Sequence, residues 1–232
     1  MTEELFRNNS YIDKCSAKIK KITDVGIVLD KTIFYPEGGG QPGDIGTIKY
    51  NGQIFPVKNT VYIEKEITHL IENTSEFNKN KEIECEINWA RRFKIMQVHT
   101  SLHLLCSLIK APVTGGQISE DKGRLDFDLE TKPDKVFVFE NINKLIKQNH
   151  DIEISSITEE YLNKNPQLVR TMAVQPPRGS GNIRMISIGE NVDYQPCGGT
   201  HVKNTSEINL IKKVKVENKG RMNKRIILDF NH

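Results

Sequence analysis

Up to about Asn88 the apolar residues either alternate with polar ones or cluster in short runs broken by turn residues: YIDKCSAKIKKI, GIVLD, TIFYP, IGTIKY, GQIFPVKN, YIEKEITHLI and KEIECEINW. Runs of this length and period are those of strands, and their succession predicts a small, mostly antiparallel β-barrel. From Ala90 to about Lys110 the period lengthens, and Phe93, Met96, Leu104, Leu105 and Leu108 mark one face of a long helix. The change of period puts a domain boundary near Trp89, with a β-barrel domain over 1–89 and a second domain over 90–232. In that second part RLDFDLE, DIEISSIT, RMISIG, INLIKKVKV and KRIILDF read as strands, KVFVFENINKLIKQNH as a helix and TEEYLNKN as a short helix. The expected fold class is α+β.

Composition narrows the classes without choosing among them. At 232 residues and 37% hydrophobic content the chain can fill a core of its own. Its 33 basic and 30 acidic residues leave a net charge of only +3, so any surface for a polyanion must be local. Cys15, Cys85, Cys106 and Cys197 are widely spread and lack the spacing of a disulfide framework, which points to a reducing cytoplasm. The start, MTEELFRNNS, has neither the basic beginning nor the apolar run of a signal peptide, and no stretch approaches the length of a membrane span.

Two short patterns carry the chemistry. HTSLH supplies His99 and His103, which share a helix face at i and i+4 and can aim two imidazoles at one point. CGGTH supplies Cys197 and His201, and its two glycines argue for a tight loop that delivers both side chains together. Three imidazoles and a thiolate suit zinc better than copper or iron. Between the first two histidines stand Thr100, Ser101 and Leu102, where a zinc peptidase would carry a glutamate as general base, so that class is set aside. Four protein ligands ordinarily close a structural site, whereas a catalytic zinc keeps a position open. Either the metal is structural, or its coordination expands, or one ligand is loose; His201, which follows two glycines and a threonine, is the candidate for the loose one.

Two loops also stand out. FYPEGGGQPGDIG, with Gly38, Gly39 and Gly40 at its centre, specifies a fixed irregular backbone, either a ligand-approaching loop or a barrel turn. PPRGSGNIR, from Pro176 to Arg184, is either a phosphate grip or a solvated loop.

FYPEGGGQPGD, WARRFKIMQVHTSLHLL, RLDFD and QPCGGTHVKNTSEI, in that order, resemble the AlaX-type alanyl-tRNA editing proteins, in their medium-length form with an N-terminal domain, and the editing domain of alanyl-tRNA synthetase. The resemblance covers nearly the whole chain. It implies hydrolysis of alanine-specific tRNA charged with the wrong amino acid, chiefly serine and in some members glycine, with zinc to polarise the ester or activate a water. It also places the hydroxyl-sensing threonine at Thr114, with Gln117 beside it in the PVTGGQIS turn, and these two are the expected catalytic-site residues. A buried hydrogen-bonding group aimed at the seryl hydroxyl is left unpaired by alanine, which spares the correct product. The glycine loop is then expected to help shape the amino-acid pocket.

Contact with tRNA phosphates is expected from Arg91 and Arg92 at the start of the long helix and from Lys212, Lys213, Lys215, Lys219, Arg221, Lys224 and Arg225 on a terminal hairpin. No membrane and no obligate protein partner are implied, and the oligomeric state stays open. Where relatives tend to have Asp-Trp this chain has Asn88-Trp89, and where they tend to have Glu-Ile-Gly it has Glu207-Ile208-Asn209. Three rival readings remain: a tRNA-binding module with a structural zinc, a zinc hydrolase of a free small ester or amide, and the editing domain of threonyl-tRNA synthetase. Asp126 and Asp128 share a strand face, and neither can be named the general base.

Overall fold

The computed structural model describes residues 1–172 and 181–231, and the chain divides into two compact units, Met1–Phe93 and Lys94–His232. The PPRGSG part of the second loop, 176–181, lies almost wholly outside the described residues.

The first unit begins with β1 (Glu3–Glu4) and a single turn of helix, α1 (Leu5–Asn8), followed by β2 (Lys14–Thr23), β3 (Gly26–Leu29), β4 (Lys31–Thr32), β5 (Gly46–Tyr50), β6 (Gln53–Val57), β7 (Asn59–Ile63), β8 (Glu66–Leu70) and β9 (Glu82–Ile87). Seven of these strands form one antiparallel sheet in the order β6-β5-β9-β2-β3-β8-β7. Strand β2 sits at its centre: Lys14–Lys18 pair with β9, Ile19–Thr23 pair with β3, and a register shift between Ile19 and Lys21 marks the bulge near which it passes between ladders. The inward residues of its strands, among them Ala17, Ile19, Leu29, Ile48 and Ile83, form one buried cluster with Phe34. The ladders are those of an open sheet with β6 and β7 at its edges, not the closed ring expected.

The run YIEKEITHLI is split between β7 and β8 by a two-residue turn in which Glu64 and Lys65 take φ of 51° and 66°. Positive φ at both central residues is what a tight antiparallel hairpin requires. TIFYP contributes only Thr32 to a strand, the two-residue β4 that pairs in parallel with β1.

The division between the units falls inside helix α2 (Trp89–Leu108). Asn88 caps its start, accepting from the Arg91 amide at 3.1 Å, so the departure from aspartate keeps the cap. After it come β10 (Val113–Ile118), β11 (Lys122–Asp128), α3 (Lys135–Lys147), β12 (Ile152–Thr158), α4 (Glu159–Lys164), β13 (Asn182–Ile188), β14 (Asp193–Pro196), β15 (Lys213–Gly220) and β16 (Asn223–Asp229). They make an antiparallel sheet β10-β11-β16-β15, against whose edge strand β15 helix α3 lies, and a second antiparallel sheet β12-β13-β14. Among the described residues the fold is α+β with nearly all strands antiparallel, and no helix is long and apolar enough to cross a membrane.

PVTGGQIS is a correction to the expected turn: it is strand β10, with an irregularity between Val113 and Gly115 that makes Thr114 the bulged residue. Two glycines in a six-residue run hid the strand, since glycine contributes no side chain to the alternation.

Candidate metal centre

Helix α2 presents His99 and His103 on one buried face, and the chain leaving β14 presents Cys197 and His201 from the loop that follows. The four ligand atoms lie within 4.8 Å of one another. Cys197 Sγ is 3.5 Å from His99 Nε2 and 3.3 Å from His201 Nε2. The three imidazoles are buried and Cys197 is half-buried.

Each arm of the site is held from behind. His103 Nδ1 faces Asp193 Oδ2 at 2.9 Å, and Gln195 Nε2 donates to the same carboxylate oxygen at 2.7 Å. A carboxylate on Nδ1 fixes the proton there and turns Nε2 toward the other ligands. His201 Nδ1 is 3.2 Å from Thr100 Oγ1, which also accepts from the Val202 amide at 3.3 Å. The CGGTH loop is pinned by Arg184 on β13, whose Nη1 donates to the carbonyls of Cys197 at 2.7 Å and Gly199 at 3.0 Å. The Gly199 amide points at Cys197 Sγ across 3.4 Å. Ser101, also on this helix, spends its hydroxyl on the Gln97 carbonyl at 2.9 Å.

The electrostatics suit a cation. Burial by itself would raise the Cys197 thiol, but the charges of His99 and His201 and the bonds from His103 and His201 outweigh it and bring the thiol well below its ordinary value. Burial among other cationic groups pushes His201 well down, toward the neutral imidazole that a metal takes. For His103 burial works downward, while the hydrogen bond to Asp193 and the Cys197 sulfur win and lift it to about 10. One sulfur, three imidazoles and a carboxylate behind one of the rings form a donor set that fits zinc.

The other expected residues are scattered, and several are corrected. Arg92 is fully buried in the first unit: it pairs with Asp44 and donates to the carbonyls of Ser10 at 3.0 Å and Ile33 at 2.8 Å, so it holds the fold and is closed to phosphate. Arg91 is half-buried and donates to the Gly43 carbonyl at 2.8 Å. Asp44 also accepts from the Tyr35 amide, so both arginines anchor the glycine loop from within this unit. In that loop Gly38 and Gln41 exchange amide bonds at 3.0 and 3.1 Å, while Gly39 and Gly40 take φ of 60° and 83°. That is a fixed turn with two residues in the left-handed region.

On the terminal hairpin, Lys224 is buried and donates to the carbonyls of Gly220 and Arg221, so it caps the turn and is withdrawn from any phosphate. Arg225 is likewise committed, with Nε and Nη2 on the Asp126 carboxylate at 2.7 and 2.9 Å, where Arg124 also donates. Asp126 is therefore an ion-pair centre on an interior strand, held below the usual carboxylate range by Arg225. Lys219 pairs with Glu217 at 3.2 Å, whereas Lys212, Lys213 and Arg221 are exposed. Thr114 donates to the Asp126 carbonyl at 3.1 Å, and Gln117 is exposed and accepts from Arg124 at 3.3 Å. Asn209, the second departure, donates to Gln97 at 3.2 Å, and Gln97 donates to the Glu207 carbonyl at 2.8 Å.

Asp193, Gln195, Thr100 and Arg184 are the residues the sequence reading missed. A signal for two of them existed: Asp193, Gln195 and Cys197 alternate, and a period of two on a strand puts all three on one side.

Comparison with known proteins adds a lineage to this geometry. Residues 5–91 match the family described as tRNA synthetases class II (A), and residues 183–227, which contain CGGTH, match the threonyl and alanyl tRNA synthetase second additional domain. The chain is 35% identical over 241 residues to the alanyl-tRNA editing protein AlaX-M of Methanosarcina barkeri, covering 97% of this chain and 98% of that protein. It is 34% identical to the AlaX-M protein of Saccharolobus solfataricus with the same coverage. The alanine–tRNA ligase of Methanococcus aeolicus is 35% identical over 226 residues, but the match spans only 24% of that enzyme.

Proposed function

This chain belongs to the AlaX-M family of alanyl-tRNA editing proteins, and from that premise we propose that it is a trans-editing hydrolase that removes serine, with glycine as the second candidate substrate, from mischarged alanine-specific tRNA. The observation that carries the reading is the convergence of His99, His103, Cys197 and His201 within 4.8 Å in a chain of this family. Those four residues would hold a zinc ion, which when bound supplies a Lewis acid for an ester carbonyl or for water. No covalent nucleophile is required, and Ser101 and Cys197 are both otherwise engaged.

The chain's own groups supply the rest. Asp193 holds the proton of His103 at Nδ1 and so sets the direction of its other nitrogen. Arg184 and the Gly199 amide fix the CGGTH loop and its sulfur before any ligand arrives. The Thr114 hydroxyl, with its proton committed to the Asp126 carbonyl, keeps oxygen lone pairs to accept from a seryl hydroxyl, the group that distinguishes serine from alanine. The N-terminal part, 1–89, with its glycine turn, and the editing part, 90–232, are assigned to substrate shaping and chemistry respectively. The place of action is the cytoplasm.

One observation favours a second reading, a tRNA-binding module whose metal is structural: four protein side chains fill a tetrahedral shell by themselves. Incubation with seryl-tRNA of the alanine-specific kind separates the two. Release of serine with alanyl-tRNA spared supports editing; bound tRNA left intact supports the module.

A further inference from the structure

Helix α3 and the segment that leads into β15 enclose a groove of about 690 Å³ in the second unit, lined in part by Phe139, Lys144, Lys147, Leu210 and Lys212. Its far wall is fixed. The Asn143 side chain clamps the extended backbone at Ile211 from both sides, donating to its carbonyl at 3.1 Å and accepting from its amide at 2.9 Å. Leu210 and Lys212, the residues on either side of that clamp, are held exposed at the groove.

The chemistry of the lining is specific. Lys144 and Lys147 lie one turn apart on the helix and Lys212 stands on the segment beside it, and none of the three ammonium groups makes an ion pair among the described residues. This sets them apart from Lys219 and Arg225, whose charges are spent on Glu217 and Asp126. Among them lie two exposed apolar groups, Phe139 at 37% and Leu210 at 39%. Unsatisfied cations around an aromatic face are complementary to a phosphodiester backbone that carries an unstacked base, because every base has a flat face and every link a charge. An apolar helix would not call for the lysines. Glu140, the one carboxylate in the lining, leaves the groove with a balance of two positive charges.

We propose that this groove is a tRNA-docking surface, in which Lys144, Lys147 and Lys212 neutralise consecutive phosphates and Phe139 takes an unpaired base or the apolar edge of a ribose. It rests on the reading of the chain as a tRNA editing protein, and of the basic residues expected on the terminal hairpin it keeps Lys212, which stands just before β15, and joins it to helix α3.

The test measures binding of uncharged alanine-specific tRNA across a salt series for the full chain, the triple variant Lys144→Gln/Lys147→Gln/Lys212→Gln, the corresponding triple arginine variant and Phe139→Ala. Lys49→Gln, far along the sequence in the first unit, serves as the control. Three phosphate contacts predict that the glutamine variant loses about 2 from the slope of log affinity against log salt, with affinity down tenfold or more at low salt. Arginine restores the slope, and Phe139→Ala lowers affinity about tenfold without changing it. Melting temperatures equal to the parent's keep misfolding apart from these outcomes. Unchanged affinity in the glutamine variant overturns the proposal, as does an affinity loss with an unchanged slope. Should the parent release serine from tRNA while the glutamine variant binds as tightly, the editing reading stands and the groove alone is excluded; a parent that binds no tRNA removes both.

Discussion

His103 Nδ1 and Asp193 Oδ2 lie 2.9 Å apart, a buried carboxylate behind the ring of a candidate metal ligand. Gln195 donates to the same oxygen, so the acceptor is held as well as the ring. Asp193→Asn keeps the shape and removes the charge, and loss of such a partner weakens metal binding roughly 10- to 100-fold. Competition with a chromophoric chelator measures this directly. Zinc affinity equal to the parent's would show that Asp193 does not position His103.

The buried pair Arg92–Asp44 ties the glycine turn to the first unit, with Arg92 fully enclosed. Arg92→Leu leaves an unpaired carboxylate and costs about 3–5 kcal/mol, and Arg92→Lys fails to restore it because an ammonium cannot reach Asp44 and two carbonyls in one fork. Denaturant unfolding followed by circular dichroism reads the loss. If Arg92 served phosphate instead, stability would be unchanged and the salt dependence of tRNA binding would fall.

His69, buried in the first unit, sits between the Ile27 carbonyl at 3.1 Å from Nδ1 and the Thr32 hydroxyl at 2.7 Å from Nε2. Nδ1 therefore donates and Nε2 accepts, the neutral form, and burial pushes its pKa down to about 4. Its contribution is complete above the unfolded value of about 6.5 and is lost at about 1.4 kcal/mol per pH unit as pH falls from there toward 4, because only the unfolded chain takes the proton in that window. Unfolding curves at pH 7, 5.5 and 4.5 should show this slope, and His69→Gln should flatten it. Equal slopes in parent and variant would contradict the assignment.

Thr114 marks the step from structure to specificity. Thr114→Val removes the hydroxyl from the bulge of β10 and is expected to erode discrimination between seryl and alanyl esters about tenfold, with zinc content unchanged. The measurement is the ratio of the two deacylation rates in parent and variant. A constant ratio takes Thr114 out of the account.

Much of this was legible in the chain, and the illegible parts share a cause. The i, i+4 pair His99 and His103 and the loop pair Cys197 and His201 declare themselves because ligation restricts residue type and spacing at once. Helix α3 announces itself through a face that must be apolar along its length, whereas α2 is buried on every side from Ile95 to Cys106. Strands β10 and β14 are short, and β10 holds two glycines, so period and propensity say little there. The basic residues were the weakest reading: charge in a sequence does not tell whether a carboxylate waits across the ladder. Register does, and it puts Asp126 directly beside Arg225.

Deacylation of alanine-specific tRNA carrying serine, glycine or alanine, by the metal-loaded and the metal-stripped protein, tests the central claim most directly. The account predicts rapid release of serine with alanine spared, abolished on stripping while circular dichroism shows the fold intact, and restored by zinc. Serine release that survives complete metal removal, or no release of any amino acid by a zinc-loaded protein that binds the tRNA, would contradict it.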